Sequence, residues 1–284
     1  MPQPIVLDTI NALRIWRNAE RRAGKRVGLV PTMGALHQGH ISLVNAVREE
    51  AESVVTSIFV NPIQFAPHED FSKYPRAFER DLELLGEVDC DAVFAPSVSE
   101  MYPEGFATAI NLVGPAAVGL EDKFRPTHFT GVATVVGKLL LQALPEVAVF
   151  GEKDFQQLAV IRRMVRDLDM GVEILGAPTL READGLAMSS RNVYLSAQER
   201  EKAVVIHQTL LEAAEAAQAG MPLHAIEKEA EGTLSELGFV VDYVAIRDSV
   251  TLAEPVDGAK PGSLRILAAA KLGQTRLIDN IAVG

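Results

Sequence analysis

Val27-Gly28-Leu29-Val30-Pro31-Thr32-Met33-Gly34-Ala35-Leu36-His37-Gln38-Gly39-His40 is a short apolar run that breaks at proline and glycine and enters a helical pattern over 41–50. An apolar run this short, closed by turn signals, reads as a buried strand. The unit is therefore strand, turn, helix, and its turn carries two histidines three residues apart. Glycine lets backbone approach a phosphate closely. A helix N-terminus presents unpaired N–H groups at the positive end of a dipole. Imidazole N–H groups add donors for phosphoryl oxygens, so the stretch suits a nucleoside triphosphate. The competing reading is a pair of turn histidines that only cap a helix. Zinc is disfavoured, because helical zinc pairs sit at i and i+4 and no third ligand cluster accompanies these two.

Outward from this turn, strand and helix signals alternate. A helix is expected over 8–20, capped by Asp8 or Thr9, with Ile10, Leu13 and Trp16 on one face. Strands are expected at 27–30, 54–60, 92–95, 147–150 and 172–175, and helices at 41–50, 78–85, 131–144 and 155–168. Short apolar strands separated by helices predict a parallel sheet covered on both faces. The fold class is α/β, a Rossmann-like doubly wound parallel sheet whose ligands lie outside the carboxyl ends of the strands. The turn at 33–40 and the loops at 61–64, 151–154 and from 178 onward all fall at such ends. After 178 the pattern changes. A loop at 180–194 precedes Ser196-Ala197-Gln198-Glu199, a capping-box signal for a helix reaching to about 217. A second helix at 223–237 and strands at 240–248, 264–270 and 276–282 follow, which predicts a smaller C-terminal α+β domain. The expected division is 1–178 and 179–284.

The bulk composition narrows the function classes. With 284 residues, 48% hydrophobic and 23% charged, the chain has an ordinary globular make-up and ample core. A formal net charge of −11 argues against a general nucleic-acid or anionic-membrane surface, so an anionic substrate must be met by a local cluster of donors. Cys90 is the single cysteine, which excludes an internal disulfide framework and fits a reducing compartment. Without an activating motif around it, Cys90 reads as a small buried residue. No basic leader with a long apolar run opens the chain and no window approaches about 18 apolar residues, so a cytoplasmic enzyme is expected.

His37-Gln38-Gly39-His40 resembles the His-x-Gly-His signature of the nucleotidyl-transfer superfamily. Four more segments extend the resemblance: Phe59-Val60-Asn61-Pro62-Ile63-Gln64-Phe65, Arg125-Pro126-Thr127-His128-Phe129-Thr130-Gly131-Val132, Phe150-Gly151-Glu152-Lys153-Asp154-Phe155-Gln156-Gln157-Leu158 and Arg181-Glu182-Ala183-Asp184-Gly185-Leu186-Ala187-Met188-Ser189-Ser190-Arg191-Asn192. In order and spacing these five resemble the pantothenate synthetase (pantoate–β-alanine ligase) family over nearly the whole chain. The last also resembles the second nucleotide motif of class I aminoacyl-tRNA synthetases.

The resemblance implies that the carboxylate of (R)-pantoate attacks the α-phosphorus of Mg·ATP, giving pantoyl adenylate and pyrophosphate. The amine of β-alanine then attacks the acyl carbon, releasing AMP and pantothenate. It assigns ATP to Met33, Gly34, Ala35, Leu36, His37, Gln38, Gly39 and His40, to Gly151, Glu152, Lys153 and Asp154, and to Leu180, Met188, Ser189, Ser190 and Arg191. His40 is implied as the catalytic proton donor with His37 beside it, and Lys153 and Arg191 as the clamp on the β- and γ-phosphates. Gln64 and Gln157 are implied for pantoate, and Gln64 also for β-alanine. An amide offers both donors and an acceptor to a polyol acid.

Each assignment has a structural counterpart. Lys153 and Arg191 also read as surface ion pairs, Ser189 and Ser190 as turn or cap residues, Asp154 as the cap of the next helix, and the glutamines as satisfied core amides. Arg125 and His128 shape either the pocket or their own loop. Asp81 reads as a water-mediated magnesium contact or as a solvated helix carboxylate, and no dedicated metal cage is expected because magnesium binds chiefly through substrate phosphates. The resemblance further implies a homodimer through the N-terminal domain, while the C-terminal domain reads as a lid shielding the acyl adenylate. Two rivals remain at the level of sequence: a nucleotidyltransferase that stops after its first step, and a nucleotide-binding regulator. A class I synthetase would need an anticodon-binding extension and a basic face.

Overall fold

In the computed structural model, which describes residues 3–65, 71, 74–256 and 258–284, the chain forms two sheets. The first contains β1 (Ile5–Leu7), β2 (Val27–Thr32), β3 (Ser53–Ile58), β4 (Ala92–Phe94), β5 (Val147–Gly151) and β6 (Glu173–Ala177), in the order β1-β4-β3-β2-β5-β6. Every pairing in it is parallel. From β2 the chain steps outward through β3 to β4, then returns to β5 on the other side of β2. The order therefore reverses between β2 and β5, where an open parallel sheet leaves a crevice at its carboxyl edge. The turn after β2 leads into His37–His40, and β5 ends on Gly151, followed by Glu152–Asp154. β2, β3 and β4 are built from residues that are almost all buried, as strands covered on both faces must be.

The helices are α1 (Ile10–Arg22), α2 (Gln38–Arg48), α3 (Phe78–Glu87), α4 (Val98–Met101), α5 (Glu121–Phe124), α6 (His128–Ala143), α7 (Phe155–Asp167), α8 (Ala197–Ala203), α9 (Val205–Gln218) and α10 (Leu223–Glu236). Thr9 caps α1 through a bond from the Ala12 N–H. Ile41, Val44 and Val47 of α2 and Leu85 of α3 share one apolar cluster with Val30, Val54 and Val93 of the parallel sheet. The expected α/β alternation is present, with several differences; α2, for one, starts at Gln38 and not at residue 41, taking His40 into its first turn. β1 was not expected, because three residues carry no periodicity; its parallel pairing to β4 is a tertiary event. α6 starts three residues earlier than expected, taking His128 into its first turn. The helix after Ser196 is two pieces, α8 and α9, separated at Val204, and Ser196 does form the expected capping box with Glu199.

The chain divides into two compact units. The first holds Met1–Leu112, Arg125–Glu152 and Val160–Pro178, and the second Val113–Phe124, Lys153–Ala159 and Thr179–Gly284. The second unit thus draws two short segments from before residue 179. Its sheet is antiparallel, with β7 (Val240–Asp248), β8 (Leu264–Leu272) and β9 (Thr275–Ala282) in that order. Alternation along β8 sorts its two faces. Leu264, Ile266, Ala268 and Ala270 pack with Ile206 and Leu210 of α9 and with Ile226 of α10. Leu267 and Ala269 face Leu120 and Phe155 from the two early segments. On that second face the buried Glu121 accepts from the Tyr243 hydroxyl at 3.0 Å and from Arg276 Nη1 at 2.8 Å.

Candidate active site

The turn after β2 in the first unit is braced from beneath by Asp81 of α3. Gly34 (φ 81°) and Ala35 (φ 51°) both take left-handed backbone, which a β-carbon disfavours at Ala35. Two bonds hold that conformation: Ala35 N–H donates to Asp81 Oδ2 at 2.9 Å, and Leu36 N–H to Asp81 Oδ1 at 2.8 Å. Gly34 N–H donates to Thr32 Oγ1 at 3.2 Å. Asp81 is 1% exposed, so it is not the solvated helix carboxylate of the sequence reading. Burial pushes its carboxyl above the ordinary aspartate range, while the Leu36 and Ala35 N–H bonds pull the other way.

The histidines that follow form a capping box. His37 is the N-cap of α2, and its Nδ1 accepts from Gly39 N–H at 3.1 Å. His40 Nδ1 accepts from His37 N–H at 3.3 Å, and the two rings stand 4.1 Å apart. Much of the turn's backbone is thus already engaged within the protein. The N–H groups of Gly34, Ala35, Leu36, His37 and Gly39 are committed to Thr32, Asp81 and the two imidazoles. An Nδ1 that accepts a hydrogen bond carries no proton in the neutral ring, so the proton sits on Nε2. The cap thus fixes the tautomer that carries its proton on Nε2.

A second strand end sits beside this turn. After β3, residues 62–64 make a 3₁₀ turn that buries Gln64. Gln64 Nε2 donates to Met33 Sδ at 3.0 Å, while Gln64 Oε1 accepts from Asn61 Nδ2 at 3.0 Å. Asn61 also donates to Gly131 O and accepts from the Tyr102 hydroxyl at 2.8 Å. A thioether is a weak acceptor, so the Nε2–H of Gln64 is held by a partner weaker than an oxygen acceptor. Arg125 and His128 hold the turn itself. A guanidinium only donates, so His128 Nε2 accepts from Arg125 Nη1 at 3.1 Å, and His128 Nδ1–H donates to the Gln64 carbonyl at 3.2 Å. Gly131 completes the seat, because a β-carbon there would lie 2.6 Å from Gln64 Cα.

In the second unit the adjacent glutamines separate by environment. Gln156 is the satisfied core amide: it accepts from Glu121 N–H and donates to Pro115 O and Asp122 Oδ1, each at 2.9 Å. Gln157 is half-buried, and its amide has no hydrogen-bond partner among the described residues. Burial lowers the Lys153 ammonium from the ordinary lysine range, with Asp154 opposing and Arg191 adding to the shift. Asp154 itself is exposed. Residues 180–188 form a hairpin in which Met188 N–H donates to the Leu180 carbonyl and Glu182 N–H to the Leu186 carbonyl. Ser189 caps the following 3₁₀ turn by accepting from Arg191 N–H at 3.2 Å. Of the expected residues, the structure therefore groups Met33–His40 with Gln64 in the first unit, and Lys153, Asp154, Gln157, Leu180 and Met188–Arg191 in the second.

The model of the pantoate-beta-alanine ligase family matches residues 5–282. The chain belongs to the pantoate–β-alanine ligase family. A pantothenate synthetase of Rhodopseudomonas palustris is 54% identical over 280 residues, covering 99% of both chains, and one from Mesorhizobium japonicum is 55% identical over 284. The solved pantothenate synthetase of Thermus thermophilus superposes with a TM-score of 0.91 at 48% identity, covering 98% of this chain and 99% of that one. A pantoate-beta-alanine ligase from Francisella tularensis, complexed with Beta-gamma ATP and beta-alanine, gives a TM-score of 0.82 at 34% identity and covers 98% and 97%. Family membership makes this chain an enzyme, an acid–amino-acid ligase.

Sequence reading gave no role to Asn61, Tyr102, Asp279 or Asn280. Asn61 carried a usable signal, since it is an amide directly after a buried strand, as Gln64 is. The others act through partners distant in the chain. Among the described residues no three His, Cys, Asp or Glu side chains converge to hold a metal, and no helix is long and apolar enough to cross a membrane.

Proposed function

We propose that this ligase condenses (R)-pantoate with β-alanine at the expense of ATP, through pantoyl adenylate, releasing pyrophosphate and AMP. The observation that carries the reading is the Gln64–Met33 contact at 3.0 Å, which sets the amide assigned to pantoate directly against the turn assigned to ATP. A carboxylate held by Gln64 then lies beside the nucleotide turn, as attack on an α-phosphorus requires. The Francisella tularensis relative, complexed with Beta-gamma ATP and beta-alanine, supports those two substrates.

His37 and His40 donate from Nε2 to phosphoryl oxygens, with His40 as the proton donor as charge builds in the transition state. Lys153, Arg191, Ser189 and Ser190 take the charge that moves onto pyrophosphate. Gln157, with its amide uncommitted, binds pantoate hydroxyls, and Gln64 serves pantoate and then β-alanine. Mg²⁺ accompanying the triphosphate would supply charge neutralisation there. Asp154 is the exposed carboxylate available beside Lys153, since both oxygens of Asp81 are committed to backbone. A homodimer formed through the first unit and a cytoplasmic location belong to the same proposal.

The test is pantoate-dependent exchange of labelled pyrophosphate into ATP, with Mg²⁺ present and β-alanine absent, followed by β-alanine addition. Exchange establishes a reversible adenylate step. A folded, ATP-binding sample that shows no exchange, and still forms no AMP on β-alanine addition, refutes the reading.

A further inference from the structure

Neighbouring residues on β9 reach the two phosphate-binding segments of the second unit from opposite faces of its sheet. Successive strand residues point to opposite sides. Asp279 lies on the α9 face, fully buried, and receives both arms of Arg181: Nη1 to Oδ2 at 2.6 Å and Nη2 to Oδ1 at 2.9 Å. The same Nη1 donates to the Gly185 carbonyl at 3.1 Å, so one guanidinium fastens both the base and the tip of the 180–188 hairpin. Beneath that tip lies His207, against whose ring a β-carbon on Gly185 would close to 2.9 Å. Asn280, on the other face and 3% exposed, donates from Nδ2 to the Lys153 carbonyl at 2.8 Å. Its Oδ1 accepts from Arg265 Nε at 2.6 Å, and the Arg265 guanidinium stacks 3.8 Å over the Phe155 ring, two residues beyond Lys153.

Packing alone does not call for this arrangement. A buried carboxylate with its cation is often no more stabilising than apolar residues of the same volume. A forked pair does give orientation, because the two parallel bonds fix the plane of the guanidinium and hence the chain that carries it. We infer that Asp279 and Asn280 are positioning residues, through which β9 sets Lys153 and the Ser189–Arg191 turn in fixed register with each other. The inference rests on the proposed assignment of those residues to the ATP phosphates. Pyrophosphate departs from between groups on two separate segments, and a shared strand removes their independent motion.

The test compares Asp279→Asn, Asn280→Ala and Arg181→Lys with the parent enzyme in three readouts. These are calorimetric binding of Mg²⁺ with the β,γ-methylene analogue of ATP, steady-state kcat with the KM for each substrate, and thermal midpoint. Misplacing a binding group by about 1 Å costs on the order of 10²-fold. Asn280→Ala and Asp279→Asn are therefore expected to weaken the analogue roughly tenfold and lower kcat by about 10–100-fold. The KM for pantoate stays at the parent value. Arg181→Lys keeps the charge but loses the fork, and falls between parent and Asp279→Asn; it reads the same tether should Asp279→Asn not fold. Folded variants with parental analogue affinity and kcat overturn the inference, as does a fall in thermal midpoint with kinetics unchanged. If the parent fails to bind the analogue, the phosphate assignment falls and takes the inference with it. If the parent binds the analogue but makes no pantothenate, the proposed function falls alone, and the affinities decide between positioning and packing.

Discussion

Replacing Asp81 by asparagine separates what this carboxylate does for the fold from what it does for the nucleotide turn. An aspartate held above its unfolded pKa of about 3.9 contributes stability that is present below that value and lost as pH rises through the folded value. Burial raises Asp81 in this way, so its charge at neutral pH is a net cost to folding. Asparagine removes that cost, keeps one acceptor, and turns its NH₂ toward one of the two backbone donors at 2.8 and 2.9 Å. An orphaned buried donor costs about 1–3 kcal/mol, which offsets the relief of charge burial, so the net stability change is expected within about 1 kcal/mol. The turn fares differently. A hydrogen bond to a charged group contributes about 1.5–3 kcal/mol, and without it the left-handed Ala35 relaxes. That energy corresponds to a population of correctly formed turns lower by about tenfold to a hundredfold. The measurement is kcat/KM for ATP at saturating pantoate and β-alanine from pH 5 to 8, alongside urea denaturation. Asp81→Asn should lose about 10–100-fold in kcat/KM, with little change in the KM for pantoate. The parent should show an acid limb set above the ordinary aspartate range, absent from the variant. Parental kcat/KM with the acid limb retained would refute the reasoning.

His40→Gln keeps an acceptor at the third helical position, so the capping box survives; kcat should still fall about 10²–10³-fold, measured as AMP release, with the thermal midpoint near that of the parent. Gly131→Ala drives a β-carbon to 2.6 Å from Gln64 Cα and from the Ile63 carbonyl oxygen, and backbone there has nowhere to move cheaply. It should destabilise by about 1–3 kcal/mol in denaturant and raise the KM for pantoate more than that for ATP. Arg276→Met leaves the buried Glu121 and its neighbour Asp242 without their shared cation, at a cost of about 3–5 kcal/mol in urea unfolding, and adding Glu121→Gln, which keeps an acceptor for the Tyr243 hydroxyl, should recover part of it.

Local signals in the chain were sufficient for most of the architecture. The apolar runs at 27–30 and 54–60 stand between helical patterns, so the parallel sheet follows from periodicity. Ser196 with Glu199 marks a helix start at the spacing that one turn imposes. The same holds for His37-Gln38-Gly39-His40, whose position between strand and helix is contained within a short stretch of sequence. What the turn's sequence did not reveal is which of its backbone donors the protein itself engages. Whether an N–H is unpaired depends on what approaches it, and Asp81 arrives from 46 residues away in sequence.

Composition also could not separate Gln156 from Gln157, since both are amides in one helical stretch. One turns into a cluster with Glu121 and Asp122, and the other does not. The sequence by itself determined most of the elements that form, because a strand, a helix or a capped turn depends on neighbours within one or two turns of chain. Only the tertiary structure decided how individual residues are held: the tautomer of His128, the seat of Gln64 against Gly131, the brace under Ala35, and the reach of Asp279 and Asn280 to Arg181 and Lys153, 98 and 127 residues away. Hydrogen bonds and close packing act over about 3–4 Å in space with no regard for separation along the chain.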